Sequence, residues 1–88
     1  MAFNVKTTMT WSVRGEDQPP ALFDARNVFL EAAVAAGKTE TELVAPKSED
    51  GKTSERFWSS TEAAQEWKAF LENLAEENQI EVSVEISS

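Results

Sequence analysis

The stretch SEDGKTSERFWSSTEAAQEW, residues 48–67, carries a turn, a strand and the beginning of a helix. Asp50-Gly51 favours a two-residue β-hairpin turn, because both residue types accept the positive φ that such a turn requires. Residues 52–59 then read as the strand that returns from the turn, and the hydroxyl and acidic residues after it are typical of a helix start. The stretch therefore predicts a hairpin whose second strand leads directly into a helix.

The helix after this strand is predicted to be amphipathic. Ser59 and Glu62 have the spacing of a capping box, and Ser60 or Thr61 offers an alternative N-cap. Apolar side chains then recur at helical spacing and form one narrow stripe. The residues of this stripe are Trp67, Phe70, Leu71 and Leu74. We expect the stripe to be buried.

Three further strands and one further helix are predicted outside this stretch. Residues 3–14 and 80–86 alternate apolar and polar side chains, so each reads as a strand with one buried face. Residues 39–46 read as an edge strand, because Pro46 lacks an amide donor. Residues 21–38 show a helical period, with Asp24 as a candidate N-cap and Gly37 as the stop. The predicted inward stripe of that helix is Phe29, Ala32, Ala33 and Ala36.

The predicted element order is β-α-β-β-α-β, in a single α+β domain spanning residues 1–88. The usual solution for this order is the ferredoxin-like sandwich, a four-stranded antiparallel sheet with two helices on one face. Its strand order, 4-1-3-2, places the second and fourth strands at the edges of the sheet. This placement suits Pro46, and it suits the outward-facing Glu81 and Glu85, which discourage pairing with another sheet edge.

The composition excludes much chemistry. The chain has no Cys, His or Tyr, so a thiol nucleophile, the usual general base and thiolate or imidazole metal ligands are missing, and we expect neither enzyme activity nor a cofactor or metal. The net charge is −8, and residues 49–88 carry −7 of it, which disfavours direct nucleic-acid binding. Glu72, Glu76 and Glu77 read mainly as solvated charge, with an acidic docking surface as the alternative. No apolar run has membrane-spanning length and MAFNVKTTMT lacks signal-peptide features, so we expect a cytoplasmic protein without membrane contact.

The opening stretch resembles a pattern in small uncharacterised proteins of tailed phages that infect marine cyanobacteria. The matching residues are Ser48 to Gly51, Arg56 and Ser60 to Trp67, about a quarter of the chain. The resemblance implies a phage accessory protein in the host cytoplasm and assigns no catalytic residue. The predicted topology is also similar to that of dimeric α/β-barrel proteins, including small monooxygenases. Those often use His, Asn or Trp in a polar pocket, and this chain has no His.

The helix-free face of the sheet is the predicted protein-binding surface. A two-residue turn would pair Trp58 with Leu43 and Phe57 with Val44, which places Trp58 inward and leaves Phe57 and Val44 outside. A register slip would exchange the two aromatic residues, so either can be the exposed one. The predicted contact residues are Thr8, Thr10, Val44 and Phe57 or Trp58.

Basic residues give a second candidate on the same face. Lys6, Arg14 and Arg56 are predicted to lie there near acidic side chains, which favours cross-strand ion pairs. A small anion held by Arg14 and Arg56 is the alternative.

These features predict a small acidic phage-type accessory protein that acts as a non-catalytic protein-binding module on a host or viral protein. The alternatives are a self-associating structural or scaffold component, forming a homodimer through the open sheet face, and a small-ligand-binding dimeric α/β-barrel protein.

Overall fold

A computed structural model of the chain describes residues 3–14, 17–44 and 52–87, with only the backbone described for 41–44. Its elements follow the predicted order. They are β1 (Val5–Trp11), α1 (Pro20–Ala35), β2 (Thr39–Val44), β3 (Thr53–Trp58), α2 (Thr61–Glu77) and β4 (Val82–Ser87). The predicted turn at Asp50-Gly51 and the predicted role of Pro46 lie outside the described residues.

The four strands form one antiparallel sheet in the order β2-β3-β1-β4. This is the order predicted from the sequence, read from the opposite edge. The last strand pairs with the first along its whole length, and Met9 lies opposite Val84. The central position therefore falls to β1, the strand with the longest alternating pattern, while β2 and β4 lie at the edges.

One face of β1 is buried throughout. Val5, Met9 and Trp11 are its apolar members, and Thr7 lies between them with 1% of its surface exposed. The Thr7 hydroxyl accepts a hydrogen bond from the indole Nε1 of Trp58 at 3.0 Å and lies 3.3 Å from the carbonyl oxygen of Arg56, to which it donates. A polar side chain is tolerated in this row because both of its hydrogen-bonding functions are used.

A cluster of aromatic rings joins the sheet to both helices. Trp67 of α2 lies 5.6 Å from Trp58 of β3 and 5.5 Å from Phe29 of α1, measured between ring centroids. Phe29 also stacks on Phe70 at 4.5 Å. Because the two helices and the inward face of the sheet share one core, both helices cover the same side. Neither of the two described helices lies on the opposite side of the sheet.

The first helix begins at Pro20, and its N-cap residue, Pro19, makes no side-chain capping hydrogen bond. The prediction of Asp24 as N-cap is wrong, because proline starts the helix one turn earlier with a preset φ and no amide donor to satisfy. The predicted stop is confirmed: Gly37 has φ of 74°. The amides of Gly37 and Lys38 donate back to Val34 and Ala33, which is the Schellman arrangement.

The second helix has a side-chain cap at its start and a strained residue at its end. Ser60 is the N-cap, and its Oγ accepts a hydrogen bond from the Ala63 amide at 3.1 Å. After the helix, Gln79 adopts a φ of 59°, and the Ile80 amide donates to the carbonyl oxygen of Ala75. This is a second Schellman arrangement, with glutamine where glycine is preferred.

The predicted inward stripe of α1 is only partly correct. Leu22 and Ala33 are buried and Phe29 packs against the core, but Ala32 and Ala36 are exposed. Apolar residues occur on several sides of this alanine-rich helix. Their helical spacing alone therefore did not determine which side of the helix faces the core. The buried residue that the prediction omitted, Leu22, lies in the first turn.

The predicted pairing of β2 with β3 is wrong. Trp58 lies opposite Thr39 instead of Leu43, and Val44 lies opposite Arg56 instead of Phe57. Between these two pairs β2 advances by five residues and β3 by two, so the strands do not keep the constant register that a two-residue turn would impose.

Candidate functional site

The side of the sheet without helices presents three rows of side chains from β3, β1 and β4. Opposite residues in the pairing place Phe57, Lys6 and Ser87 in the first row. The second row is Glu55, Thr8 and Glu85, and the third is Thr53, Thr10 and Ser83. We call these nine residues the open face. Thr8 lies at its centre.

The open face is polar, with one aromatic residue at a corner. Lys6 forms an ion pair with Glu55 at 3.0 Å. Thr53 and Thr10 lie at hydrogen-bonding distance, with 3.5 Å between their hydroxyl oxygens. Phe57 is partly exposed in the row of Lys6, at the other end of the face. The face therefore offers hydroxyl groups, an ion pair with no net charge and a partly exposed aromatic ring.

The structure settles which aromatic residue can reach a partner. Trp58 is fully buried, so Phe57 is the aromatic residue on the open face. Thr8 and Thr10 lie on that face as predicted. Val44 ends β2 opposite Arg56, so the pairing that was expected to set it beside Phe57 does not exist. Whether Val44 contacts a partner stays a prediction.

The placement of Arg56 on the open face is also wrong. Arg56 lies opposite the buried Thr7, in the inward row that ends at Trp58. Its guanidinium is half-buried on the helix side, where Nη1 donates to the carbonyl oxygen of Glu40 at 2.9 Å. Lys6 is therefore the basic residue within the open face, and its ion pair is across strands as predicted, although the partner is Glu55 and the expected ones were Glu81 and Glu85.

On the helix side, a cleft of about 200 Å³ lies between α1 and β3. Two arginines, Arg26 from α1 and Arg56 from β3, both line it. The other polar lining residues include Asn27 and Ser54, and the apolar ones include Met9, Phe23, Leu30 and Trp67. We call this the arginine cleft.

The electrostatics of the arginine cleft are unusual for so acidic a chain. Burial lowers the pKa of both Arg26 and Arg56, because desolvation disfavours the charged form. Neither guanidinium forms an ion pair with a carboxylate among the described side chains, which are those of residues 3–14, 17–40 and 52–87. The Nε of Arg26 is buried without a hydrogen-bond partner among those residues. The guanidinium carbon of Arg26 lies over the rings of Trp11 and Phe23, at 5.6 and 5.9 Å from their centroids.

A signal for this cleft was present in the sequence and was missed. Arg26 follows Leu22 by four residues and precedes Phe29 by three, so it lies on the inward stripe of α1. Arg56 precedes the buried Trp58 by two, so it shares the inward face of β3. A charged residue that the period directs inward on two elements indicates a buried polar site. The structure adds that both side chains line the same cleft.

Other kinds of site find no support in the described parts of the chain. Within them no three acidic side chains come together to hold a metal ion. None of the helices described there is long and apolar enough to cross a membrane. No protein-family model, curated protein or solved structure matches the chain.

Proposed function

We propose that this chain is a non-catalytic protein-binding domain that makes its contact through the open face. The observation that carries the proposal is the side of the sheet that the described helices leave uncovered, where Phe57 lies opposite Lys6 on a face that also carries threonine and serine hydroxyls. An aromatic residue surrounded by polar groups is typical of modest protein interfaces. The partner we favour is a second copy of the chain, packed sheet against sheet around a two-fold axis.

Charge supports the choice of this face for self-association. Two copies that each carry a net charge of −8 repel each other over most of their surfaces. The open face carries Lys6, Glu55 and Glu85 as its charged residues, a net charge of −1. Lys6 lies in one row and Glu85 in the next, so a two-fold pairing can bring Lys6 of each copy towards Glu85 of the other.

The size of the face sets the expected strength. Strands of six residues at about 3.3 Å each, with the three strands of the open face about 4.8 Å apart, give a face of roughly 20 by 14 Å. This is smaller than the roughly 800 Å² per partner of a standard stable interface. We therefore expect a weak dimer, which forms fully only at high protein concentration.

Sedimentation equilibrium from about 10 µM to about 1 mM tests the proposal, because that range brackets weak self-association. We expect the mass to rise from 9.8 kDa towards twice that value. Thr8→Lys places a charge at the centre of the face, where it would meet its own copy across the two-fold axis. Within one chain the new lysine would lie between Glu55 and Glu85, which favours folding.

Gln65→Lys is the matched control, because it makes the same charge change on the exposed surface of α2. Thr8→Lys should abolish the rise in mass and Gln65→Lys should leave it intact. A wild-type protein that stays monomeric at about 1 mM would exclude the homodimer. Equal dimerisation of both variants would show that the contact lies elsewhere.

Two further parts of the proposal concern the biological role and the fold. The resemblance to cyanophage proteins supports an accessory role in the host cytoplasm, where the domain docks on a host or viral protein. Capture of one partner that wild-type protein binds and Thr8→Lys loses would support that role.

The element and strand orders support assignment of the fold as ferredoxin-like.

A further inference from the structure

The geometry points to a second binding site in this protein: we propose that the arginine cleft binds a small organic carboxylate with an apolar body. This site lies on the helix side of the sheet, opposite the open face. Among the described residues Glu55 is the one that the two surfaces share, so the two proposals can be tested separately.

The first step of the argument is the balance of charge. Sixteen acidic residues face eight basic ones, so carboxylates are plentiful in this chain. The described lining of the cleft contains one acidic residue, Glu55, and that carboxylate is paired with Lys6. A half-buried guanidinium without a counter-charge is costly, and two in one cleft are costlier. An anion from outside the chain would supply the missing partner.

The second step is the supply of hydrogen-bond donors. The buried Nε of Arg26 has no acceptor among the described residues. Arg56 uses Nη1 on a backbone carbonyl, and its other guanidinium donors have no acceptor among the described residues. Asn27 and Ser54 add polar side chains to the lining. A planar guanidinium matches the two oxygens of a carboxylate, so both arginines suit such a group.

The third step is the apolar part of the lining, which favours an organic carboxylate over a free inorganic anion. Met9, Phe23, Leu30 and Trp67 form much of the cleft wall. A cavity of about 150 Å³ is large enough to hold benzene, and the arginine cleft measures about 200 Å³. One ring or a short branched chain therefore fits beside the charged group. Benzoate is a suitable probe.

Titration followed by NMR tests the site in the intact chain. Adding benzoate to the ¹⁵N-labelled protein should shift the Nε–Hε resonances of Arg26 and Arg56 together, in a saturable manner. Benzamide has the same ring without the charge, and inorganic phosphate has charge without a ring. We expect each of them to bind at least ten times more weakly than benzoate.

Variants locate the effect. Arg26→Gln and Arg56→Gln should each weaken benzoate binding at least tenfold, whereas Arg14→Gln, outside the described lining, should leave it unchanged. Arg26→Lys keeps the positive charge but loses the planar pair of guanidinium N–H donors. It should weaken benzoate binding while the fold is preserved. Circular dichroism checks that each variant is folded. If a variant is unfolded, the shifts of the wild-type Nε–Hε resonances on adding benzoate still test the site.

Three results would overturn the proposal. Benzoate that shifts neither arginine resonance would show that the cleft does not take a carboxylate. Benzamide binding as tightly as benzoate would show that charge is not recognised. Phosphate binding as tightly as benzoate would refute the apolar part of the assignment.

Discussion

At the scale of single residues, the hydroxyl of Thr7 has the most unusual position in the core. It lies in a row of apolar side chains, where it accepts from Trp58 Nε1 at 3.0 Å and faces the carbonyl oxygen of Arg56. Trp58 is fully buried, and its indole N–H donates to this hydroxyl. The pair explains why an apolar strand face contains a threonine.

Replacing Thr7 by valine should therefore destabilise the protein although it preserves size and branching. The buried indole N–H would lose its acceptor, which costs about 1–3 kcal/mol of the free energy of unfolding. Thr7→Ser keeps the hydroxyl and should lose less. Chemical denaturation measures both variants. Equal stability of Thr7→Val and the wild type would show that the hydrogen bond contributes nothing net.

Trp67 is the residue through which α2 contacts both β3 and α1. It has 3% of its surface exposed and packs on Trp58 and Phe29. Trp67→Ala should lower the free energy of unfolding by about 3–5 kcal/mol, as for other buried aromatic residues. Val28→Ala on the exposed side of α1, where Val28 is 69% exposed, should change it by less than about 0.5 kcal/mol. A thermal melt little altered by Trp67→Ala would contradict the docking of α2 through this ring.

At the scale of elements, the two helix ends form a matched pair. Both have the Schellman arrangement with a residue at positive φ, glycine at 37 and glutamine at 79. A β-carbon added at Gly37 would meet no atom within 4 Å, so its cost there is purely that of the backbone conformation. The two positions therefore allow the same backbone effect to be measured in opposite directions.

Gly37→Ala should destabilise the protein by about 1–2 kcal/mol, because a left-handed backbone is unfavourable for residues with a β-carbon. Gln79→Gly should stabilise it by about 0.5–1 kcal/mol, since the relief of strain exceeds the added flexibility of the unfolded chain. Thermal and urea unfolding measure both changes. A destabilised Gln79→Gly variant would show that the glutamine side chain makes a contribution larger than the strain.

The elements also show what the sequence could predict and where it failed. Strict alternation in β1 and the apolar stripe of α2 each indicate one buried face, and both predictions are confirmed. The start of α1 and the pairing of β2 were wrong. Pro20 competes with Asp24 as the start, and an irregular stretch of β2 shifts its register against β3. Local patterns determine which side of an element is buried, but pairing depends on contacts between distant residues.

At the scale of the whole molecule, the sheet separates two surfaces with different chemistry. The helix side holds the arginine cleft, and the other side is the open face. The period places Arg26 and Arg56 on inward faces, but the sequence could not show that they line one cleft, because they are thirty residues apart and only the folded arrangement of the elements brings both to it. The open face could be predicted, because the element order alone leaves one side of the sheet bare.

The central claim is that the open face contacts a second copy of the chain, and isotope-filtered NMR tests it most directly. In an equal mixture of ¹³C-labelled and unlabelled protein, nuclear Overhauser effects between the two populations arise only across the interface. We predict such effects from the Phe57 ring and the methyl groups of Thr8 and Thr10. The exposed side of α1 offers Phe23 and Val28, which are 57% and 69% exposed, as the rival contact. Intermolecular effects confined to Phe23 and Val28, or none at about 1 mM protein, would contradict the account.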